Sequence, residues 1–151
     1  FIDIFDETAR GIYRERVSLL GGFHDLRDDL AANEVTVSIV TSAPPAWHEI
    51  VTERFDIAVA ETISAEDIDG EGKPDPDVYE HAADVLDIDP ADCLVVEDSK
   101  NGVEAGKRAG MVVIAYRTGP NSETDLSAAD VVADGSEELH AEIRRRTGVE
   151  G

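Results

Sequence analysis

Two kinds of pattern alternate along the chain. Short runs rich in apolar and β-branched residues predict buried strands, at residues 35–40, 57–60, 93–96, 111–115 and 130–133. Between them, apolar residues recur at helical spacing and predict helices, at residues 23–33, 44–55, 76–86, 101–109 and 136–146. Apolar strands that alternate with helices are typical of a parallel sheet covered on both faces. The pattern therefore predicts an α/β fold.

The first twenty residues favour helix over strand. Their apolar side chains recur at helical spacing, at Ile2, Phe5, Ala9, Ile12 and Val17. A strand over residues 1–5 is the alternative, but it would place Asp3 in its middle. Gly21 and Gly22 end the helical pattern. Residues 61–72 are acidic and contain glycines, which predicts a loop.

The charge of the chain excludes two classes of partner. Its 151 residues contain 34 Asp and Glu against 13 Lys and Arg, a formal net charge of −21. Such a surface repels the phosphates of nucleic acids and anionic lipids, so neither is expected as a partner. We favour adaptation to high salt over an ordinary acidic surface, because a net charge of this size should strain a small domain at low ionic strength. At about 1 M salt, screening shortens the Debye length to about 3 Å and removes this self-repulsion.

The lengths of the apolar runs and the cysteine count bear on where in the cell the protein works. No apolar run approaches the roughly 20 residues that span a bilayer. Cys93 is the only cysteine, so an internal disulfide is impossible, which fits a reducing cytoplasm. A cytoplasmic location is therefore our expectation.

Polar residues that could carry chemistry lie at or near the carboxyl ends of predicted strands, where parallel sheets bind ligands. Thr41 and Ser42 follow one strand and could bind a phosphate oxygen at the start of the next helix, or could simply cap that helix. Lys73, between Gly72 and Pro74, could neutralise a phosphoryl group, or could be an ordinary surface lysine.

Glu97 and Asp98 end the strand at residues 93–96. Adjacent carboxylates at this edge form a hard-oxygen site that suits Mg²⁺ and a substrate phosphate. The plainer interpretation is that they cap the loop together with Ser99 and Asn101. A hydroxyl, a lysine and a carboxylate pair in this order make the catalytic interpretation the stronger one.

The segments VTS, GKPDPDVY and VVEDSKNGVEAGKRAG, in that order, resemble three motifs of the haloacid dehalogenase-like hydrolase superfamily. The similarity is greatest to its phosphoglycolate phosphatase and β-phosphoglucomutase branch and covers about residues 10–134. It implies a Rossmann-like parallel sheet with helices on both faces. Thr41 and the Ser42 amide would then bind the phosphoryl group, and Lys73 would pair with both the phosphate and the nucleophile.

The same resemblance implies a metal site. Asp98 would hold Mg²⁺, with Glu97 as a second ligand, and Ser99 and Asn101 would orient the acidic loop. The family reaction is attack of an aspartate on phosphorus, followed by hydrolysis of the aspartyl-phosphate. Lys73 and the metal would stabilise charge on the group being transferred.

The first motif of the family, an apolar strand ending in Asp-x-Asp, is not found. The nearest candidate, residues 5–8, lacks the second Asp and the glycine. Residues 1–20 instead resemble the end of a helical cap, and residues 21–151 a core domain that lacks its first strand. We therefore expect the nucleophile to be missing from this chain, which by itself should be inactive.

The leading hypothesis is a Mg²⁺-dependent phosphatase that acts on a small phosphorylated metabolite. A phosphomutase of the β-phosphoglucomutase type is the close alternative, because the two differ mainly in the cap. A core that binds phosphate or a partner without catalysis is the alternative from another class. A dehalogenase is less favoured, since Glu97 and Asp98 suit a metal and a phosphate.

Overall fold

The computed structural model describes residues 22–41, 45–56 and 59–150. The helices are α1 (Phe23–Ala32), α2 (Pro45–Arg54), α3 (Asp77–Leu86), α4 (Lys100–Arg108) and α5 (Gly135–Thr147). The strands are β1 (Ile39–Thr41), β2 (Thr62–Ser64), β3 (Leu94–Glu97), β4 (Val112–Arg117) and β5 (Val131–Asp134). The helix predicted over the first twenty residues and the candidate Ser42 lie outside the described residues.

All strand pairs are parallel, and they form two sheets. β1 pairs with β2, in a register that places Thr41 opposite Ser64. The other sheet has the order β3-β4-β5. Each crossover between successive strands in this second sheet is long enough to contain a helix or an extended loop, as parallel pairing requires.

Helices cover both faces, as the sequence predicted. Val113 and Ile114 are neighbours on β4 and point to opposite faces, as strand geometry requires. Val113 belongs to a core cluster with residues of α3 and α4, whereas Ile114 belongs to a second cluster with residues of α1 and α5. Both side chains are fully buried. The α/β fold class is confirmed.

The second strand was predicted at the wrong place. The structure forms β2 at Thr62–Ser64, inside the segment predicted to be a loop, whereas residues 59 and 60 are not in a strand. The apolar run at 57–60 suggested the strand, but Ile63, between two hydroxyl residues, is the side chain that enters the core, 4% exposed. β1 is also shorter than predicted, because it begins at Ile39 rather than at residue 35.

A cleft of about 860 Å³ lies between the two sheets. Val37 and Val40 from the β1 side and Leu94 and Val96 from the β3 side contribute to its walls. Residues of α3 line it too, and so do residues of α1 and α5, which pack on the opposite face. Val96 is 43% exposed, whereas its neighbour Val95 is buried. In the described part of the chain, β1 and β3 therefore leave an apolar space between them.

No helix within residues 22–41, 45–56 or 59–150 combines the length and the apolar character needed to span a bilayer.

Candidate active site

Lys73 and Glu97 form a largely buried ion pair at the carboxyl end of β3. Lys73 Nζ contacts Glu97 Oε1, and the two side chains are 11% and 9% exposed. Glu97 is the last residue of β3, whereas Lys73 lies in the loop before α3. Burying two charges is costly unless further hydrogen bonds satisfy them. The surroundings of Glu97 supply such bonds.

Tyr79 donates its hydroxyl to the same carboxylate oxygen of Glu97. Its ring also faces Lys73, with Nζ 4.9 Å from the ring centroid, a cation–π distance. Burial raises the pKa of the Tyr79 hydroxyl, and the negative charge and hydrogen bond of Glu97 raise it further. The hydroxyl therefore stays protonated at neutral pH and can donate the hydrogen bond to Glu97. No sequence pattern singled out Tyr79, although it ends the GKPDPDVY segment.

Gly102, in the first turn of α4, allows the Glu97 carboxylate to approach the helix. A Cβ at this position would lie 2.0 Å from Glu97 Oε2, so any larger residue would displace the carboxylate. Ser99 is the N-cap of α4, since its hydroxyl accepts a hydrogen bond from the Gly102 amide at 3.0 Å. The same hydroxyl lies 3.4 Å from Glu97 Oε2 and donates to it. These bonds connect Ser99 to Glu97 and to the start of α4, and its role in orienting the acidic loop stays a prediction.

Asp98 lies in a loop that is hydrogen-bonded to the neighbouring strand through Asn121. No sequence pattern singled out Asn121 either. Asn121 Nδ2 donates to the backbone oxygens of Asp98 and Tyr116, both at 2.8 Å. Its Oδ1 accepts from the Thr118 amide at 2.6 Å. The Asp98 side chain itself is exposed, as is Asn101 in the first turn of α4. The role of Asn101 stays a prediction.

Thr41, the hydroxyl residue predicted to bind phosphate, lies near a second hydroxyl residue at the ends of β1 and β2. Thr41 is the last residue of β1 and is half-buried, opposite Ser64 on β2. Ser64 is fully buried and caps a short 3₁₀ helix, accepting from the Glu66 amide at 3.2 Å. The convergence of Thr41 with Lys73 and Asp98 on one phosphoryl group stays a prediction, as does the contribution of Ser42.

The carboxylates of Asp98 and Glu97 differ in how accessible they are to a metal ion. Asp98 presents an exposed carboxylate, which suits Mg²⁺, an ion commonly held by one or two carboxylates together with water and phosphate. Glu97 directs one oxygen to Lys73 and Tyr79 and is nearly enclosed. Among the described residues, no three His, Cys, Asp or Glu side chains gather closely enough to hold a metal ion. Of the two carboxylates, Asp98 is the one open to a metal, and the part of Glu97 as a second ligand stays a prediction.

The sequence of the chain matches a known family. Residues 2–110 match the sequence profile of the haloacid dehalogenase-like hydrolases. The chain belongs to that family. The resemblance predicted from the three sequence segments is confirmed. This haloacid dehalogenase-like hydrolase is 37% identical over 126 residues to a CBBY-like protein of Arabidopsis thaliana, covering 82% of this chain and 40% of that protein.

Other relatives of this haloacid dehalogenase-like hydrolase have phosphatase or phosphomutase names. It is 36% identical over 125 residues to the bifunctional riboflavin kinase/FMN phosphatase of Arabidopsis thaliana, covering 78% of this chain and 32% of that protein. It is 39% identical over 72 residues to the β-phosphoglucomutase of Bacillus subtilis, covering 48% of this chain and 30% of the relative. The chain thus spans well under two thirds of these relatives.

A solved structure supports the same fold. CbbY from Rhodobacter sphaeroides in complex with phosphate superposes with a TM-score of 0.80 at 24% identity. The match covers 91% of this chain and 65% of that one. At this identity the likeness supports the fold alone, and it confirms the predicted haloacid dehalogenase-like architecture.

Proposed function

We propose that the whole protein is a Mg²⁺-dependent phosphatase that acts on a small phosphorylated metabolite. The observation that carries the proposal is the Lys73–Glu97 pair at the carboxyl end of β3, directly beside Asp98. The lysine provides positive charge for the phosphoryl group, and the acidic loop provides a carboxylate for the metal, as phosphoryl transfer requires. The phosphatase names among the relatives support the same reaction class.

Each residue has a defined task in this proposal. Lys73 binds a phosphoryl oxygen and stabilises the negative charge that develops on the transferring group. Asp98 holds Mg²⁺, and the metal, when bound, neutralises charge on the same group. Ser99 and Asn121 keep the Asp98 loop in place through the hydrogen bonds described above. Thr41 and the Ser42 amide bind a second phosphoryl oxygen.

The nucleophile in this proposal is an aspartate on a strand that fills the cleft between β1 and β3. Three features of the cleft support this: its apolar lining, its helices on both sides and its position between two parallel sheets. A parallel strand there would satisfy the backbone groups of β1 and β3 that face the cleft. The full coding region should then encode an apolar strand ending in Asp-x-Asp.

The test is turnover by the full-length protein. We expect hydrolysis of at least one member of a panel of sugar phosphates and phosphoglycolate, in molar KCl, only when Mg²⁺ is present. Asp98→Asn should lower kcat by roughly 100-fold or more, the loss typical of a missing electrostatic stabiliser. Asp84→Asn, an exposed position on α3, is the matched control and should keep full turnover.

Four results would count against this proposal. Full activity of the Asp98→Asn variant would remove the metal assignment, and turnover without Mg²⁺ would remove the metal itself. Isomerisation of a sugar phosphate, with no release of phosphate, would favour the phosphomutase alternative that the β-phosphoglucomutase relative suggests. Binding of phosphate esters with no reaction at all would favour the non-catalytic alternative.

A further inference from the structure

Tyr79 contacts both members of the Lys73–Glu97 pair. Its hydroxyl and Lys73 Nζ donate to the same atom, Glu97 Oε1. The residue is 4% exposed, so bulk water has little access to replace the hydroxyl. We infer that Tyr79 is a positioning residue that holds Glu97 in place when Lys73 turns towards a phosphoryl oxygen. This inference rests on the proposed function, which gives Lys73 that phosphoryl contact.

The physical reason is competition for one ammonium group. Lys73 carries a single charge, and Glu97 and a bound phosphoryl group are both anions that attract it. A carboxylate that is 9% exposed becomes costly to bury as soon as it loses a donor. The Tyr79 hydroxyl remains on Oε1, and Ser99 remains near Oε2, when Lys73 changes partner. Tyr79 thereby lowers the cost of moving Lys73 from Glu97 to phosphate.

Without the hydroxyl, Glu97 would depend on Lys73 more strongly and would compete better with an incoming anion. We therefore expect Tyr79→Phe to weaken the binding of inorganic phosphate by about tenfold, equivalent to about 1.4 kcal/mol. The measurement is isothermal titration calorimetry on the protein with inorganic phosphate, at one fixed KCl concentration. The aromatic ring, and hence its cation–π contact with Lys73, is retained in this variant.

Tyr116→Phe is the matched control. It removes the same hydroxyl from a half-buried ring on β4, which packs against the core cluster on the α1 and α5 face. Its phosphate affinity should equal that of the wild type. Equal affinities for the Tyr79→Phe and Tyr116→Phe variants would overturn the inference.

A double-mutant cycle separates positioning from a general structural effect. If Tyr79 acts through Glu97, Tyr79→Phe should have no effect in a Glu97→Gln background, because the competing anion is gone. A tenfold loss that persists in this background would overturn the inference.

Lys73→Met separates this inference from the proposed function. If the variant binds phosphate as tightly as the wild type, or if the wild type binds none, the phosphoryl role of Lys73 fails and the inference falls with it. If Lys73 is required but Tyr79→Phe changes nothing, the inference alone is wrong.

Discussion

Asp130 shows how one carboxylate ties two elements together. Its Oδ2 accepts from the Val113 amide on β4 at 2.7 Å and from Lys107 Nζ on α4 at 2.9 Å. The hydrogen bond from the Val113 amide is the main cause that lowers the pKa of Asp130, and the one from Lys107 adds to it. The ionised form is therefore favoured in the folded protein, and Asp130 should contribute to stability only where it is charged.

We predict that Asp130→Asn lowers the free energy of unfolding at pH 7 by about 1 kcal/mol, because solvent screening weakens a partly exposed charged hydrogen bond. Since the folded pKa is below the unfolded one, this contribution is complete above the unfolded value of about 4 and is lost as pH falls through the folded value. Denaturant titrations from pH 7 to acid check this at constant salt. Glu123→Gln, in the exposed loop before β5, is the control. A stability difference that does not shrink in acid would contradict the prediction.

Helix α4 has a glycine-bearing face that serves two purposes. Gly102 and Gly106 are four residues apart and so lie on the same face of the helix. A Cβ at Gly102 would meet Glu97 Oε2 at 2.0 Å, whereas one at Gly106 would meet Val113 Cγ2 at 2.8 Å. The first glycine therefore faces the candidate site, and the second faces the core.

Alanine at these two positions should separate activity from stability. Gly102→Ala pushes the Glu97 carboxylate away from the start of α4 and should shift the adjoining Asp98 with it, so we expect kcat/KM to fall at least about tenfold. The loss of stability should be limited, because alanine is favoured over glycine in a helix by about 1 kcal/mol. Gly106→Ala pushes on a fully buried, stiff valine and should lower the melting temperature but keep the activity of the folded protein. Activity assays and thermal melts of both variants check this. The reverse outcome, an inactive Gly106→Ala variant and an active Gly102→Ala variant, would show that Glu97 is not held as described.

The strands best predicted from sequence are those with an unbroken run of apolar residues. β3 and β4 lie within two residues of the predicted strands, because each contains an unbroken run of apolar residues, which in β4 is buried on both faces. β2 was misplaced because only one of its three residues is strongly apolar. Local pattern does not report which of several short segments finds a partner strand.

The candidate site was predictable only in part, for a similar reason. Lys73, Glu97 and Asp98 stood out because they lie at or near the carboxyl ends of predicted strands, in segments that resemble motifs of the family. Tyr79 and Asn121 did not, since their importance comes from partners 18 and 23 residues away in sequence. The first contact joins α3 to the end of β3, and the second joins the loops that follow β3 and β4, so both exist only in the folded chain.

At the scale of the whole molecule, the two sheets share one set of helices. Val40 of β1 and Ile63 of β2 pack in the same core cluster as Val95 of β3 and Val113 of β4. The cleft between the sheets thus divides the hydrogen-bonded strands, but the hydrophobic core remains continuous along the α3 and α4 face. A parallel strand in this cleft would join the five described strands into one sheet of six.

The net charge of −21 acts on this entire architecture. Its repulsion opposes compaction at low salt, and added salt should relieve it because screening shortens the Debye length from about 10 Å at 0.1 M to about 3 Å at 1 M. We therefore predict that the thermal midpoint rises strongly between 0.1 M and molar KCl. A flat response would contradict the proposed adaptation to high salt.

Salt could also stabilise by strengthening apolar burial, so the charge must be varied independently. Asp84 and Asp87 are exposed at the C-terminal end of α3, where the helix dipole also disfavours negative charge. The Asp84→Asn/Asp87→Asn variant should melt higher than the wild type at 0.1 M KCl, and the two curves should converge as KCl rises. This convergence is specific to screening, because an effect on apolar burial would act equally on both proteins. Parallel curves in thermal melts across the KCl series would therefore assign the salt effect to burial rather than to charge.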